Sequence, residues 1–329
     1  TAIVTFILIL IIVSSLASSK KSFFSYYTGD ENSENKVAIL KINGPIISEP
    51  VNLFNFGKFS ESKAIYPSLI NNYLKELKDI QISGIIVSIN SPGGSVSASN
   101  EIYNLFKNFK NNQNIPLYFH STEMLASGAY WISLSGDRIL ANYGTLIGSI
   151  GVKGPDWIYY NNPNLLSSGL LGGSVESKNG IKIFSSLAGK SKDLLNPFRM
   201  PSPEEEDELQ NMVNDIYMKF VNIVSSNRKI ENQIIINEIG AMIYESNKAK
   251  KINLINDVKT LNETIELIKD KLKISEVKII TNSKHKYYNL NFINSSFDTK
   301  ENFYILDSFC NNIKNELSVV AINSYINDC

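Results

Sequence analysis

Histidine and cysteine are almost missing from this chain, with two of each in 329 residues. Both cysteines, Cys310 and Cys329, fall late, so neither a CxxC zinc site nor a disulfide scaffold can be drawn. The two histidines, His120 and His285, leave few choices for a general base or an imidazole metal site. Net charge is absent too, since 32 Lys+Arg offset 32 Asp+Glu. Without a basic excess to release counterions from phosphates, a general nucleic-acid binder is excluded. What remains is 43% apolar and 19% charged, the profile of a folded globular chain. The length allows one large domain with appendages, or two domains.

Residues 1–19 are apolar and uncharged until Lys20 and Lys21. A membrane-spanning helix needs about 20 apolar residues, and this stretch falls just short. Two readings stand side by side: an uncleaved anchor, or a signal-peptide core ending near Ser15–Leu16–Ala17. Residues 20–35 turn polar and acidic, as in a linker. From there the pattern alternates. Lys36–Asn43, Gly84–Ile89, Pro116–His120, Arg138–Ala141 and Ser149–Val152 read as strands. Leu69, Ile70, Tyr73, Leu74 and Leu77 predict a helix over about 66–78, and Ile102, Leu105 and Phe106 another. Pro203–Glu204–Glu205–Glu206–Asp207 opens a long helix to about Asn227, with Met212, Val213, Ile216, Phe220 and Ile223 as its apolar face. A last helix is expected over Leu261–Leu272. The alternation implies an α/β layered core.

Two small-residue turns carry the chemistry. Asn90–Ser91–Pro92–Gly93–Gly94–Ser95 lies between a buried strand and a helix. Its glycines permit positive φ and leave backbone N–H groups able to face a cleft, although such a turn is also an ordinary connection. It lacks the Lys of GxxxxGK[ST] and fails the spacing of GxGxxG, which excludes nucleotide binding. The second run is Met124–Leu125–Ala126–Ser127–Gly128–Ala129–Tyr130. Small neighbours leave room for a carbonyl to approach Ser127, and the Gly128 N–H can stabilise the oxyanion formed by serine attack. The competing reading is close helix packing.

A nucleophilic serine needs a base. His120 sits at a strand end and His285 among lysines in the tail, positions that suit structural and solvated roles. A neutral lysine is the alternative. Bringing a lysine pKa from about 10.4 to near 7 requires about 4–5 kcal/mol from burial or neighbouring dipoles. From the residues alone Lys153, Lys182, Lys190 and Lys192 all remain open.

Taken in order, these segments resemble the signal peptide peptidase A (protease IV) family of membrane-bound serine peptidases. The matching residues are Ile89–Val96, Ala126–Tyr130, Asp137–Ala141, Thr145–Val152, Lys192–Asp193, Asn196–Arg199, Leu209–Gln210, Phe220 and Ala249–Ile255. The resemblance covers about residues 36–260. It implies a Clp-protease/crotonase-like layered fold and a Ser/Lys dyad, with Ser127 as nucleophile, Lys192 as general base, and the N–H groups of Gly94 and Gly128 as oxyanion hole. It implies no cofactor and no metal. It further implies a homo-oligomeric ring in which short members complete a dyad between neighbouring subunits. The substrates expected are cleaved signal peptides and other apolar peptides, including segments of membrane proteins. The N-terminal segment becomes a transmembrane anchor, with the catalytic domain on the outer or periplasmic side of a bacterial inner membrane. The expected organisation is an anchor over 1–19, a linker over 20–35, a peptidase domain over 36–275 and an extension over 276–329.

The chain departs from the family pattern at Ala188–Gly189–Lys190–Ser191–Lys192, where the usual form has Ser-Gly and a single Lys, so Lys190 rivals Lys192. The segment Asp156–Pro163 is also unusual and is expected to reshape the pocket or a lid. Three other classes compete. A crotonase-like acyl-CoA enzyme would want an acidic pair at the turns. A Clp-type Ser/His/Asp peptidase would want a histidine downstream of Ser127 closer than His285. A non-catalytic scaffold would need neither.

Overall fold

The computed structural model describes residues 22–49, 64–159 and 186–282, and the backbone of 318–320. Its centre is a seven-stranded sheet in the order β1-β11-β2-β3-β5-β7-β10. These strands are β1 (Ser25–Gly29), β2 (Lys36–Asn43), β3 (Gly84–Asn90), β5 (Leu117–Ser121), β7 (Arg138–Ala141), β10 (Asp257–Val258) and β11 (Lys278–Thr281). All neighbours are parallel except β1, which runs antiparallel to β11 at the edge.

Strands buried on both faces read as continuous apolar runs, and β3 (GIIVSIN) does. On one face Ala38, Leu40, Ile85, Val87 and Phe119 join the larger core cluster. On the other, Val37, Ile39, Ile86, Tyr118 and Leu140 pack with Ile265 and Ile268. Those isoleucines belong to α7 (Leu261–Leu272), which Thr260 and Glu263 start with a capping box. The larger face is covered by α1 (Pro67–Ile80) and α2 (Val96–Gln113). It is also covered by the short α3 (Gly128–Ser133), every residue of which is buried. There Trp131 stacks on Phe220 of α4 (Pro203–Arg228), with ring centroids 4.8 Å apart. Burial of such large side chains contributes about 1.5–3 kcal/mol each, so α3 is fixed by its core contacts and not by its length.

A smaller sheet aligns β6 (Met124–Ala126), β8 (Leu146–Gly148) and β9 (Ile243–Glu245). A short α5 (Asn232–Ile234) that runs on as a π-helical turn (Ile235–Ile239) precedes β9, and α6 (Ser246–Lys251) follows it. The third sheet pairs β4 (Gly93–Ser95) with β12 (Ser318–Val320).

Several expectations need correction. Residues 20–35 are not a linker throughout, because Ser25–Gly29 forms the edge strand β1. Its polar residues suit an edge that needs only one partner. The body does not stop at 275: β11, with Ile279 and Ile280, lies inside the main sheet between β1 and β2. No strand forms over Ser149–Val152; β8 ends at Gly148, and Ser149 turns the chain with φ 54°. In α4 the buried apolar residues are Phe220, Val221 and Val224, with Ile216 and Ile223 packed against the core, whereas Met212 is exposed. No helix among the described residues is long and apolar enough to cross a membrane, and segment 1–19 lies outside them.

Candidate active site

The strand β3 delivers the first turn to the end of the sheet. Asn90 fastens that end: its Oδ1 accepts from Ser121 Oγ and from the backbone N–H groups of Thr122 and Glu123, at 2.9–3.0 Å. One side chain thus holds the loop that leads into β6. Ser91 bonds across to β6 through its N–H to Met124 O (2.9 Å) and its carbonyl from Ala126 N–H (3.2 Å). The first turn and the Ser127 strand are therefore joined by backbone.

Gly93 and Gly94 follow with φ of 103° and 150°, which glycine adopts without steric cost. Ile46 bonds to one edge of β4, donating to Gly93 O (2.9 Å) and accepting from Ser95 N–H (2.8 Å). In an extended strand alternate residues present their polar groups to opposite edges. The Gly94 N–H and C=O therefore face away from Ile46. A Cβ at Gly94 would lie 2.0 Å from Ile46 O, so the approach requires glycine.

Ser127 sits at the turn from β6 into α3 with φ 56° and ψ −121°, a conformation L-residues avoid. The turn is pinned: Ser127 N–H donates to Gly148 O (2.8 Å), and Ser127 O accepts from Trp131 N–H (2.9 Å). Its side chain is fully buried, yet Oγ has no hydrogen-bond partner among the described residues. A buried hydroxyl without a partner is costly, and Ser127 carries that cost on top of its backbone strain. Gly128 lies against Ser99, whose Oγ would be 2.3 Å from a Cβ there. Ser99 Oγ in turn donates to Ser95 O (2.7 Å). Ser99 thus links Gly128 to the strand that carries Gly94.

Lys192 is exposed and makes no hydrogen bond or ion pair among the described residues. The turn that carries it is nonetheless held firmly. Arg199 forks onto Asp193 (Nε–Oδ2 2.7 Å, Nη2–Oδ1 2.8 Å) and onto Glu205 in the first turn of α4 (Nη1–Oε2 2.7 Å, Nη2–Oε1 2.8 Å). Trp157 lies beneath the guanidinium, 5.0 Å from its ring centre, and donates Nε1–H to the carbonyls of Asn196 and Arg199. Arg199 holds the carboxyls of Asp193 and Glu205 down at about 2. The described part of Asp156–Pro163 therefore braces the Lys192 turn; residues from 160 on lie outside the described set.

The other bases fare differently. Lys190 is ion-paired with Glu204, whose hydrogen bond and charge push its pKa up, the opposite of what a general base needs. Lys153 pairs with Asp156 at 2.8 Å. His120 is buried in β5, with Nε2 3.0 Å from Lys259 O, and burial lowers its pKa. It serves the sheet and not Ser127. Lys182, His285, Cys310 and Cys329 lie outside the described residues. Sequence reasoning assigned no role to Asn90, Ser99, Trp157 or Arg199. Asn90 and Arg199 stood within the quoted motifs, but their partners are 31 and six residues away and only the fold discloses them.

Comparison with known proteins identifies the family. The model of peptidase family S49 matches residues 109–275, just over half of the chain, and that of Clp protease matches 62–138. A Methanocaldococcus jannaschii protein whose name marks it as a candidate protease is 31% identical over 210 residues, 64% of this chain and 63% of its own length. An Enterococcus faecium protein named as a candidate signal peptide peptidase, SppA, is 28% identical over 253 residues, 75% of this chain and 67% of its own. The chain thus spans about two thirds or less of the length of these relatives. Among solved structures, a variant of a membrane-bound stomatin-specific protease with a substrate peptide aligns at 16% identity and TM-score 0.42, over 83% of this chain and 98% of that one. The architecture is a Clp-protease-like α/β fold, and the chain belongs to peptidase family S49.

Proposed function

We propose that this chain is a serine endopeptidase whose nucleophile is Ser127 and whose general base is Lys192. The observation that carries the reading is Ser127 itself: a strained, fully buried serine with an unpartnered hydroxyl, joined by backbone to a strand whose Gly94 N–H is free of Ile46. Ser127 Oγ attacks a peptide carbonyl while a neutral Lys192 amine takes the hydroxyl proton. The oxyanion is met by the N–H groups of Gly94 and Gly128. Collapse breaks the C–N bond, and the leaving amine takes the proton back from Lys192. Water, deprotonated by the same amine, then releases the acyl group from Ser127.

Within one chain Lys192 is exposed and Ser127 is buried without a partner, which favours a dyad completed between neighbouring copies in a ring. The braced turn would present Lys192 to an adjacent subunit. Substrates are peptides with small and apolar side chains, cleaved signal peptides and membrane-protein segments among them. Residues 1–19 anchor the chain in a bacterial inner membrane, with the peptidase body on the outer or periplasmic side. The test is hydrolysis of a quenched apolar peptide by purified variants. Ser127→Ala and Lys192→Ala abolish cleavage while keeping assembly, and Lys190→Ala retains much of it. A Lys192→Ala protein of normal activity removes the base assignment.

A further inference from the structure

The two amides assigned to the oxyanion belong to different elements, so nothing in the covalent chain sets the distance between them. Gly94 lies in β4, and Gly128 opens α3. Two buried side chains span the gap. Ser99, in the opening turn of α2, donates from Oγ to Ser95 O (2.7 Å), the carbonyl of the residue that follows Gly94. The same Oγ lies so close to Gly128 that a Cβ there would stand 2.3 Å from it. Ile46 reaches both glycines as well. Its main chain bonds to Gly93 O and to Ser95 N–H, on either side of Gly94, and its Cδ1 would be 3.4 Å from a Cβ at Gly128. Ile46 is 1% exposed and Ser99 0%, so neither can swing out to solvent. Interiors are close-packed with side chains in fixed rotamers, and a buried spacer therefore passes its size on to whatever rests against both its ends.

We propose that Ser99 and Ile46 are positioning residues of the oxyanion pair, holding the Gly94 and Gly128 N–H groups at one separation. This inference rests on the Ser127 reading. Both side chains act through the two glycines and not on the substrate itself. An oxyanion hole is effective when its donors already stand where charge develops, so that no reorganisation is spent at the moment of reaction. Gly128 has no side chain to wedge its own backbone, and Ser99 Oγ and Ile46 Cδ1 are the atoms packed against it. Removing either atom loosens the fit to the tetrahedral state and leaves the bound peptide as it was. Such a loss lowers kcat and kcat/KM together and spares KM.

The experiment measures steady-state hydrolysis of a quenched apolar peptide by the full chain and by its Ser99→Ala and Ile46→Val variants. The second removes only Cδ1 and keeps every main-chain bond of Ile46. Inhibition by a peptide aldehyde is measured alongside: Ser127 Oγ adds to its carbonyl carbon, the hydroxyl proton passes to the base, and the former carbonyl oxygen takes the oxyanion's place. Both variants are expected to lose about 10- to 100-fold in kcat with KM unchanged, and to bind the aldehyde more weakly by the same factor. Ile265→Val, in the cluster on the opposite face of the main sheet, controls for lost packing and is expected to keep the wild-type kcat. Unchanged kcat and aldehyde affinity in both variants, whatever their melting temperatures, overturn the proposal and leave the function standing. A rise in KM alone overturns it too, because it places the two side chains beneath the peptide and not behind the oxyanion. Should Ser99→Ala fail to fold, Ile46→Val decides. If hydrolysis survives in Ser127→Ala, the Ser127 reading falls, and this proposal falls with it.

Discussion

Replacing Gly94 by alanine tests the narrowest contact at the site. The new Cβ would stand 2.0 Å from Ile46 O and 2.8 Å from both Ile46 C and Ile46 N. These are backbone atoms, which cannot swing aside as a side chain does, and Ile46 is bonded to β4 on both flanks of Gly94. Relief means breaking those two bonds, about 0.5–1.5 kcal/mol each, or forcing the strands apart, an overpacking cost of about 1–3 kcal/mol. The φ of 150° adds strain for any side chain. A loss of about 2–4 kcal/mol follows, which lowers the melting temperature by roughly 4–16 °C for a body of this size. The same displacement moves the Gly94 N–H, and loss of one oxyanion donor lowers kcat by about 100- to 1000-fold. Thermal unfolding and steady-state peptide hydrolysis read the two effects separately. Wild-type stability would refute the packing argument. A destabilised protein with unchanged kcat would refute the assignment of Gly94 to the oxyanion.

Other substitutions probe the remaining parts. Ser127→Gly relieves the positive φ and removes a buried unpartnered hydroxyl, so it is expected to abolish cleavage yet gain about 1 kcal/mol of stability after glycine's own entropy. A lowered unfolding midpoint would contradict the strain. Arg199→Ala releases Asp193 and Glu205, and limited proteolysis should then nick Gly189–Met200 faster; an unchanged digest would show that the clamp does not hold the turn. Because both carboxyls sit at about 2 in the fold and near 4 when unfolded, their contribution is full above the unfolded value and lost as pH falls from about 4 towards 2. The urea midpoint of Arg199→Ala should therefore fall less steeply over that range than that of the wild type, and equal slopes would contradict the clamp. Finally, co-assembly of equal amounts of Ser127→Ala and Lys192→Ala chains should recover about a quarter of wild-type activity, since a random ring pairs an intact Ser127 with a neighbour's intact Lys192 at one site in four. No recovery would place both residues in one chain.

Much of the fold was legible because its strands are buried on both faces. Such strands read as unbroken apolar runs, and β2, β3, β5 and β7 fall where those runs stand. The Pro203–Asp207 opening likewise marks the start of α4. The edge strand β1 escaped notice because SYYTG, with two adjacent tyrosines, shows no strand alternation and gains its partner only from β11, some 250 residues later. The same holds for β11, a four-residue run in what reads as tail. At the site, the two turns were visible as glycines and small residues. Their connection was not: Ser99 to Gly128, Asn90 to the 121–123 loop and Arg199 to Glu205 are contacts set by tertiary packing, and no periodicity records them. The apolar stripe of α4 misled at Met212 because the first half of that helix extends beyond the core.

Labelling with an acyl-transferring serine probe, followed by peptide mapping of the adduct, reaches the nucleophile without assuming any substrate. The assembled wild-type protein should carry one stoichiometric adduct on Ser127, and Lys192→Ala should label only slowly. An adduct on another residue, or equal labelling of wild type and Lys192→Ala at every pH, would contradict a lysine-activated serine in this fold.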